Sequence, residues 1–301
     1  MSSVINLSIL IVGLVRNAEK TLHKDIEVLG NAFSDFAEVK FFLVESDSSD
    51  KTIDVLNFYK AKYSFFDYVS LGKLKEKHPL RTDRIAVCRN EYVRRINELY
   101  IYSKINYVVV ADLDNVNSLL NKDSVNSCWK SGVKWDVCTA NQLGAYYDIY
   151  ALRHKVWNPS DCFEQKDFLM KFGVNSELSS VASVYAKMVQ IPADSEWIEV
   201  DSAFGGLAIY KKELFKDVSY CGLTESGKEV CEHIVIHQIM KKKGAKIFIN
   251  PRLINDGFNE HSIHTKVRFK FYRLLWRTLN VFLIKLGIKD LLKSKLKKIA
   301  K

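Results

Sequence analysis

The sequence predicts an α/β protein: a Rossmann-like mixed sheet flanked by helices, with a basic amphipathic helical tail at its C-terminal end. Three observations carry this. Apolar runs of strand length, such as residues 7–13, 39–44 and 107–110, alternate with stretches of helical spacing, and that alternation builds parallel or mixed sheets. Polar segments follow directly on the strands, where such sheets bind their ligands. Charge is unevenly placed: residues 266–301 hold twelve Lys or Arg and the single acid Asp290, so with a net charge of +10 over 301 residues the rest carries about −1.

In chain order, residues 7–13 read as a first strand, and a helix opens at Arg16-Asn17 and runs to about Leu29. Residues 39–44 form a second strand, ending in a polar loop rich in helix N-cap residues, before a helix over 52–62. A third strand over 66–71 and a long helix over 81–102 lead to the strand at 107–110. Residues 135–140 make another strand, and 146–153 continue the sheet region. Helices are expected at 163–172, 180–188 and 229–242, a strand at 245–250 and a loop at 251–264. Residues 199–210 carry a paired glycine between apolar runs. One domain over 1–265 plus a tail over 266–301 accounts for the pattern.

Composition narrows the class. At 48 % hydrophobic and 27 % charged, the chain suits a globular protein with a real core. Six cysteines lie scattered without CxxC pairs, which argues for free thiols and against structural zinc. A near-neutral body speaks against nucleic acid as a partner. The first residues lack a basic leader, and the apolar run at 7–15 is too short to span a bilayer. The expected location is the cytoplasm, peripheral on the cytoplasmic face of a membrane.

The chain is organised around Tyr107-Val108-Val109-Val110-Ala111-Asp112-Leu113-Asp114-Asn115. If strand geometry continues through the acids, Asp112 and Asp114 lie on one side. Two like charges held together call for a cation between them. Hard divalent cations take oxygen ligands and share them with phosphates. The alternative is a solvated acidic turn.

Val44-Glu45-Ser46-Asp47-Ser48-Ser49-Asp50-Lys51-Thr52 lies without a gap over the loop V-D-D-G-S-T-D-G-T. Here the chain resembles the GT-A glycosyltransferases of the family-2-like group. Five positions depart from that pattern, among them Glu45, Ser46 and Asp47. The resemblance implies that Glu45 inherits the contact to the nucleotide base or ribose. It makes Asp112-Leu113-Asp114 the family's DxD motif, which holds Mn²⁺ or Mg²⁺ against the donor diphosphate. A narrower likeness is to the group containing the fungal capsule mannosyltransferases, through Arg84-Ile85-Ala86-Val87-Cys88-Arg89-Asn90 and Tyr146-Tyr147-Asp148-Ile149-Tyr150-Ala151-Leu152-Arg153. It implies retention of configuration.

The expected nucleotide-sugar contacts are Arg16, Glu45, Asp47, Arg81, Arg84 and Asp112; the expected metal ligands are Asp112, Asp114 and His261. Arg81, Arg84 and Arg89 belong to the helix before the DxD and are candidates for the diphosphate; Arg81 and Arg84 share a helical face, which favours Arg84, and guanidinium groups bind phosphate oxygens in pairs. The family places a general base at the start of a late helix, which makes Glu232 the candidate and implies inversion; the two stereochemical readings both stand. His233 and His237 have helical ligand spacing but no HExxH between them, which excludes zinc-protease chemistry. His261 is preferred to His264 as a late metal ligand. Asp201, Gly205 and Gly206 resemble the acceptor-side segment, and Trp197 is a candidate sugar platform or a core residue.

In the tail, Phe271, Leu274, Leu275, Phe282, Leu286, Leu292 and Leu296 recur among basic residues, which predicts an interfacial anchor on an anionic membrane. The expected partners are therefore a nucleotide-sugar donor, a glycan or lipid-linked glycan acceptor and that membrane surface. Two other readings are a nucleotidyltransferase of sugar phosphates and a non-catalytic, membrane-bound binding module. The first would carry a glycine- and lysine-rich phosphate loop, which Gly13-Leu14-Val15-Arg16 does not provide.

Overall fold

Alternate residues of the central strands belong to two different cores. Leu10, Val12, Val108 and Val110 face one, whereas Ile9, Ile11, Val109 and Ala111 face the other. A sheet buried on both faces explains why its strands read as continuous apolar runs. The computed structural model describes residues 4–258 and Ser262. Met1–Gly257 forms one compact unit and Phe258–Lys301 a second. His261 and the basic tail over 266–301 lie outside the described residues.

Eight strands make one sheet: β1 (Ser8–Val15), β2 (Glu38–Glu45), β3 (Phe66–Ser70), β4 (Tyr107–Ala111), β5 (Val137–Gln142), β6 (Ile198–Val200), β7 (Leu207–Lys211) and β8 (Ile247–Asp256). Their order is β3-β2-β1-β4-β7-β5-β8-β6. β7 runs antiparallel to β4 and β5, and β6 antiparallel to β8; the other pairings are parallel. The mixed α/β sheet that the sequence predicts is the one observed. Helices α1 (Leu22–Ala32), α2 (Thr52–Lys62) and α4 (Lys122–Lys130) pack on one face. Helices α3 (Arg81–Glu98) and α7 (Glu232–Lys242) pack on the other, and α5 (Cys162–Lys171) and α6 (Ser176–Ser183) lie between β5 and β6 in the chain. Among the described residues no helix is long and apolar enough to cross a membrane.

Several elements differ from the sequence reading. The helix expected from Arg16 begins only at Leu22, because the intervening backbone is tied to the loop after β2. Asn17 N–H donates to Ser48 Oγ (3.1 Å), Ala18 N–H to Thr52 Oγ1 (2.7 Å) and Glu19 N–H to Asp50 Oδ2 (3.1 Å). The N-cap residues of that loop thus bind the neighbouring loop. Residues 146–152 are irregular with a turn at 149–151, and only Arg153 touches strand-like pairing, through an isolated bridge to Ser202. Asp148 accepts the N–H groups of Ala151 and Gly205, which removes them from any ladder. β8 continues through Pro251, where a loop was expected; the register shifts opposite it, and Asn141 Nδ2 donates to the Pro251 carbonyl at 3.0 Å. Bulges are where strands tolerate proline. α4 was not foreseen; its capping box is Asn121 with Ser124.

The 216–231 segment is pressed onto the start of α3. No side chain at the N-cap Leu80 caps this helix; instead Glu229 Oε1 accepts Thr82 N–H (3.2 Å) and Thr82 Oγ1 (3.0 Å). This places a negative charge at the positive helix end. Gly222 makes the approach possible, since a Cβ there would lie 2.1 Å from the Thr82 carbonyl oxygen. Gly222→Ala therefore forces backbone from backbone. We expect it to lower unfolding stability by about 3 kcal/mol, read from the urea midpoint; an unshifted midpoint would show that the segment yields freely.

Candidate active site

The carboxyl ends of β1, β2 and β4 lie side by side, so the loops after them share one edge of the sheet. β4 stops at Ala111, and the DxD lies in the turn just beyond the strand, where Asn115 adopts φ +67°. Leu113 is buried in the α1/α4 core. Asp112 points to the other side and meets Arg89 of α3, Nη2 to Oδ1 at 3.5 Å.

Arg89 is buried and makes contacts in several directions. Its Nε donates to Glu232 Oε1 at 2.9 Å and its Nη1 to the Tyr92 hydroxyl at 3.3 Å. Its guanidinium also lies over the rings of Phe204 and Tyr220, at 5.4 and 5.6 Å. Glu232, the first residue of α7, is buried beside it. One cation thus joins the acid after β4 to the acid that opens α7.

The side chain of Asp112 keeps 37 % of its surface exposed. Burial is nonetheless the largest influence on it and pushes it up to about 7; Arg89 opposes, and the charges of Asp114, Asp148 and Glu232 add to the rise. This crowd of carboxylate oxygens suits a hard divalent cation, which would relieve their repulsion. Among the described residues no three His, Cys, Asp or Glu side chains form a cation site by themselves. Further oxygens would come from a phosphate-bearing ligand, as is usual for Mg²⁺.

The DxD turn is fixed from behind by amides. Asn117 Nδ2 donates to the Asp112 carbonyl (2.8 Å), and Asn255 Nδ2 to Asn117 Oδ1 (3.0 Å) and the Gly205 carbonyl (2.8 Å). Gln142 Nε2 reaches the same Gly205 carbonyl at 3.0 Å. Gly205 and Gly206 take φ +70° and +84°, and a Cβ on Gly206 would meet the Tyr147 hydroxyl at 2.8 Å. These glycines are required by the protein's own packing. Asp201, grouped with them in the sequence, is exposed and faces Lys241 at 3.3 Å.

The other expected contacts divide. Glu45 is buried at the end of β2, where it accepts Ser48 N–H (2.9 Å) and the Ser70 hydroxyl, so it holds its own loop. Asp47, at φ +59°, accepts Lys75 N–H through Oδ1 (3.0 Å), while its buried Oδ2 has no hydrogen-bond partner. Arg16 and Arg81 are exposed. Arg84 donates to the carbonyls of His78 (2.8 Å) and Pro79 (2.6 Å), and it is Arg89, further along α3, that reaches Asp112. Arg89 lies on the buried stripe of α3 with Ala86, Val93 and Ile96. A charged residue on that apolar stripe was the available signal. His237 is a satisfied core residue between Ser202 Oγ and the Tyr210 hydroxyl, both at 2.9 Å.

The sequence reading did not single out Asp25 of α1. It accepts the Asn115 N–H at 3.4 Å, and Lys24 donates to Asn115 Oδ1 at 2.8 Å, so α1 also holds the DxD turn. Burial, the largest influence, lifts Asp25 to about 6; the Asn115 amide opposes, Asp114 adds and Lys24 opposes.

No family model and no curated protein sequence matches the chain. Several solved structures align with it at low identity. S. aureus TarS in complex with UDP-GlcNAc aligns with a TM-score of 0.46 and 15 % identity over 81 % of this chain and 56 % of that one. Its complex with UDP aligns at 0.44 and 15 %, over 81 % and 57 %. The mannosyltransferase PcManGT from Pyrobaculum calidifontis, in complex with GDP-Man and Mn²⁺, aligns at 0.48 and 12 %, over 85 % and 59 %. The chain spans somewhat more than half the length of each.

Two outcomes follow from this geometry. Arg89→Met leaves Glu232 buried without its cation, and we expect a loss of about 3–5 kcal/mol on denaturant unfolding. Adding Glu232→Gln should recover part of it, and strict additivity of the two would exclude the coupling. A carboxyl raised in the folded chain holds its proton more tightly there than in the unfolded chain. Ionising Asp25 therefore costs stability as pH rises from its usual value of 3.8 to about 6. Asp25→Asn keeps an acceptor for Asn115, and in EDTA its melting temperature should exceed the wild type's at pH 8 but not at pH 4. An equal difference at both pH values would refute the assignment.

Proposed function

We propose that the protein is a metal-dependent glycosyltransferase that moves a sugar from a nucleotide-sugar donor to a glycan or lipid-linked glycan acceptor. The observation that carries this is the single buried guanidinium shared by Asp112, at the carboxyl end of β4, and Glu232, at the start of α7. Transfer needs negative charge managed at the leaving diphosphate and a base at the acceptor hydroxyl. The arrangement sets a candidate for each on either side of Arg89.

In this reading Asp112 and Asp114 hold Mn²⁺ or Mg²⁺, which when bound stabilises charge developing on the diphosphate. Asp47, with its unpartnered buried oxygen, accepts an N–H or O–H of the nucleotide. Glu232 takes the proton of the acceptor hydroxyl, and Arg89 holds that carboxylate at a fixed place while balancing its charge. The amides of Asn117, Gln142 and Asn255 keep the DxD turn rigid. A site held this firmly limits the reorganisation needed during transfer. Surface polysaccharide or lipopolysaccharide assembly, on the cytoplasmic face of a membrane, is the setting we propose from the basic composition of residues 266–301.

The test is a panel of nucleotide sugars with and without Mn²⁺, following nucleoside diphosphate release. One donor should support metal-dependent release, and Asp114→Ala should reduce it by about two orders of magnitude. Release that survives chelation, or an unimpaired Asp114→Ala, would sink the reading.

A further inference from the structure

A groove of about 720 Å³ lies between α4, residues 193–197 and β8. Its walls rest on the core formed by Val125, Cys128, Trp197 and Phe248. α3 and α7, which carry Arg89 and Glu232, pack on the opposite core. None of the residues assigned to the candidate active site lines this groove.

We propose that this groove binds an acidic oligosaccharide. Its volume lies within the roughly 300–1,000 Å³ usual for small-molecule sites. Trp197 is half-buried, and its indole stands edge-to-face on Phe248, with centroids 6.1 Å apart and planes at 69°. That contact fixes a flat apolar surface in the groove wall. The C–H face of a pyranose ring packs on such a surface while its hydroxyls point outward to the rim. The rim answers in kind: Asp123 and Ser131 are exposed there and offer a carboxylate and a hydroxyl, while the Asn121 amide beside them caps α4 through Ser124 and donates to the Leu119 carbonyl.

Charge narrows the ligand further. Arg252 and Lys130 line the groove against the one acid Asp123, a net positive balance among its walls. Arg252 is exposed on β8, with its backbone N–H donating to Asn250 Oδ1 at 3.0 Å, so the strand sets where its guanidinium starts from. A guanidinium pairs two N–H groups with a carboxylate or phosphate. A sugar chain bearing such groups meets both features: the rings take the indole and hydroxyls, and the acids take Arg252 and Lys130. An apolar ligand would use the indole alone and gain nothing from the two cations. The inference does not depend on the proposed transfer chemistry, because it concerns binding alone.

The test titrates the full chain with trigalacturonate as the acidic probe and maltotriose as the neutral one, following indole N–H signals by ¹H–¹⁵N NMR. Trigalacturonate is expected to shift the Trp197 signal and to bind more tightly than maltotriose. Arg252→Ala, an exposed position where folding is not at stake, should weaken trigalacturonate about tenfold and leave maltotriose unchanged. Trp197→Ala should weaken both. Absence of trigalacturonate binding to the wild type, equal affinity for the two probes, or binding indifferent to Arg252→Ala would each overturn the proposal.

Discussion

A guanidinium buried in an α/β core has to be compensated or it unfolds the protein around it. Arg89 meets that requirement through Glu232, Asp112, the Tyr92 hydroxyl and the faces of Phe204 and Tyr220. Each of these comes from a different part of the chain or helps to hold one. Asn90, the next residue, exchanges two hydrogen bonds with the Tyr220 backbone at 2.9 and 2.8 Å. Glu229 caps the start of the same helix. The segment before α7 is thus fastened to α3, and Glu232 is delivered to Arg89. The position of the candidate base and that of the first DxD carboxylate depend on one cation.

The loops at this edge of the sheet are also tied to one another. Loops after successive strands are normally the mobile parts of such a fold. Here the loops after β1 and β2 bind each other through Ser48, Asp50 and Thr52, and the turn after β4 is held from one side by Asn117 and Asn255 and from the other by Asp25. The buried amides are members of one network, and in a low-dielectric interior such a network specifies a single arrangement. The left-handed Gly205 and Gly206 belong to it. They let a backbone turn fit against Ala140, Gln142 and Tyr147 where any side chain would collide.

The sheet also separates two features of the surface and core. Its α3/α7 face carries Arg89 and Glu232, while its α1/α4 face carries the groove beside Trp197. Because strand side chains alternate, neighbouring residues of β4 and β8 serve opposite faces. Leu113 lies in one core while Asp112 on its flank meets Arg89 from the other.

Local pattern was enough to read the mixed α/β sheet, the strands over 39–44 and 107–110 and the helix over 52–62, since apolar runs and cap residues act over a few positions. It also marked Asp112 and Glu232 as candidates, each at the end of an element, and the two share Arg89. Local pattern could not show that α1 starts late, because Asn17, Ala18 and Glu19 are bound by a loop about thirty residues away. Nor could it show that β8 passes through Pro251, which depends on Asn141 of β5. It favoured Arg84 on grounds of helical spacing, whereas burial selected Arg89. Sequence by itself determined most of the sheet's strands, several of its helices and which residue types could do chemistry. Tertiary structure alone decided which charges meet, because a buried cation binds whatever acids the packed sheet and helices bring within reach of it, however far apart they lie in the chain.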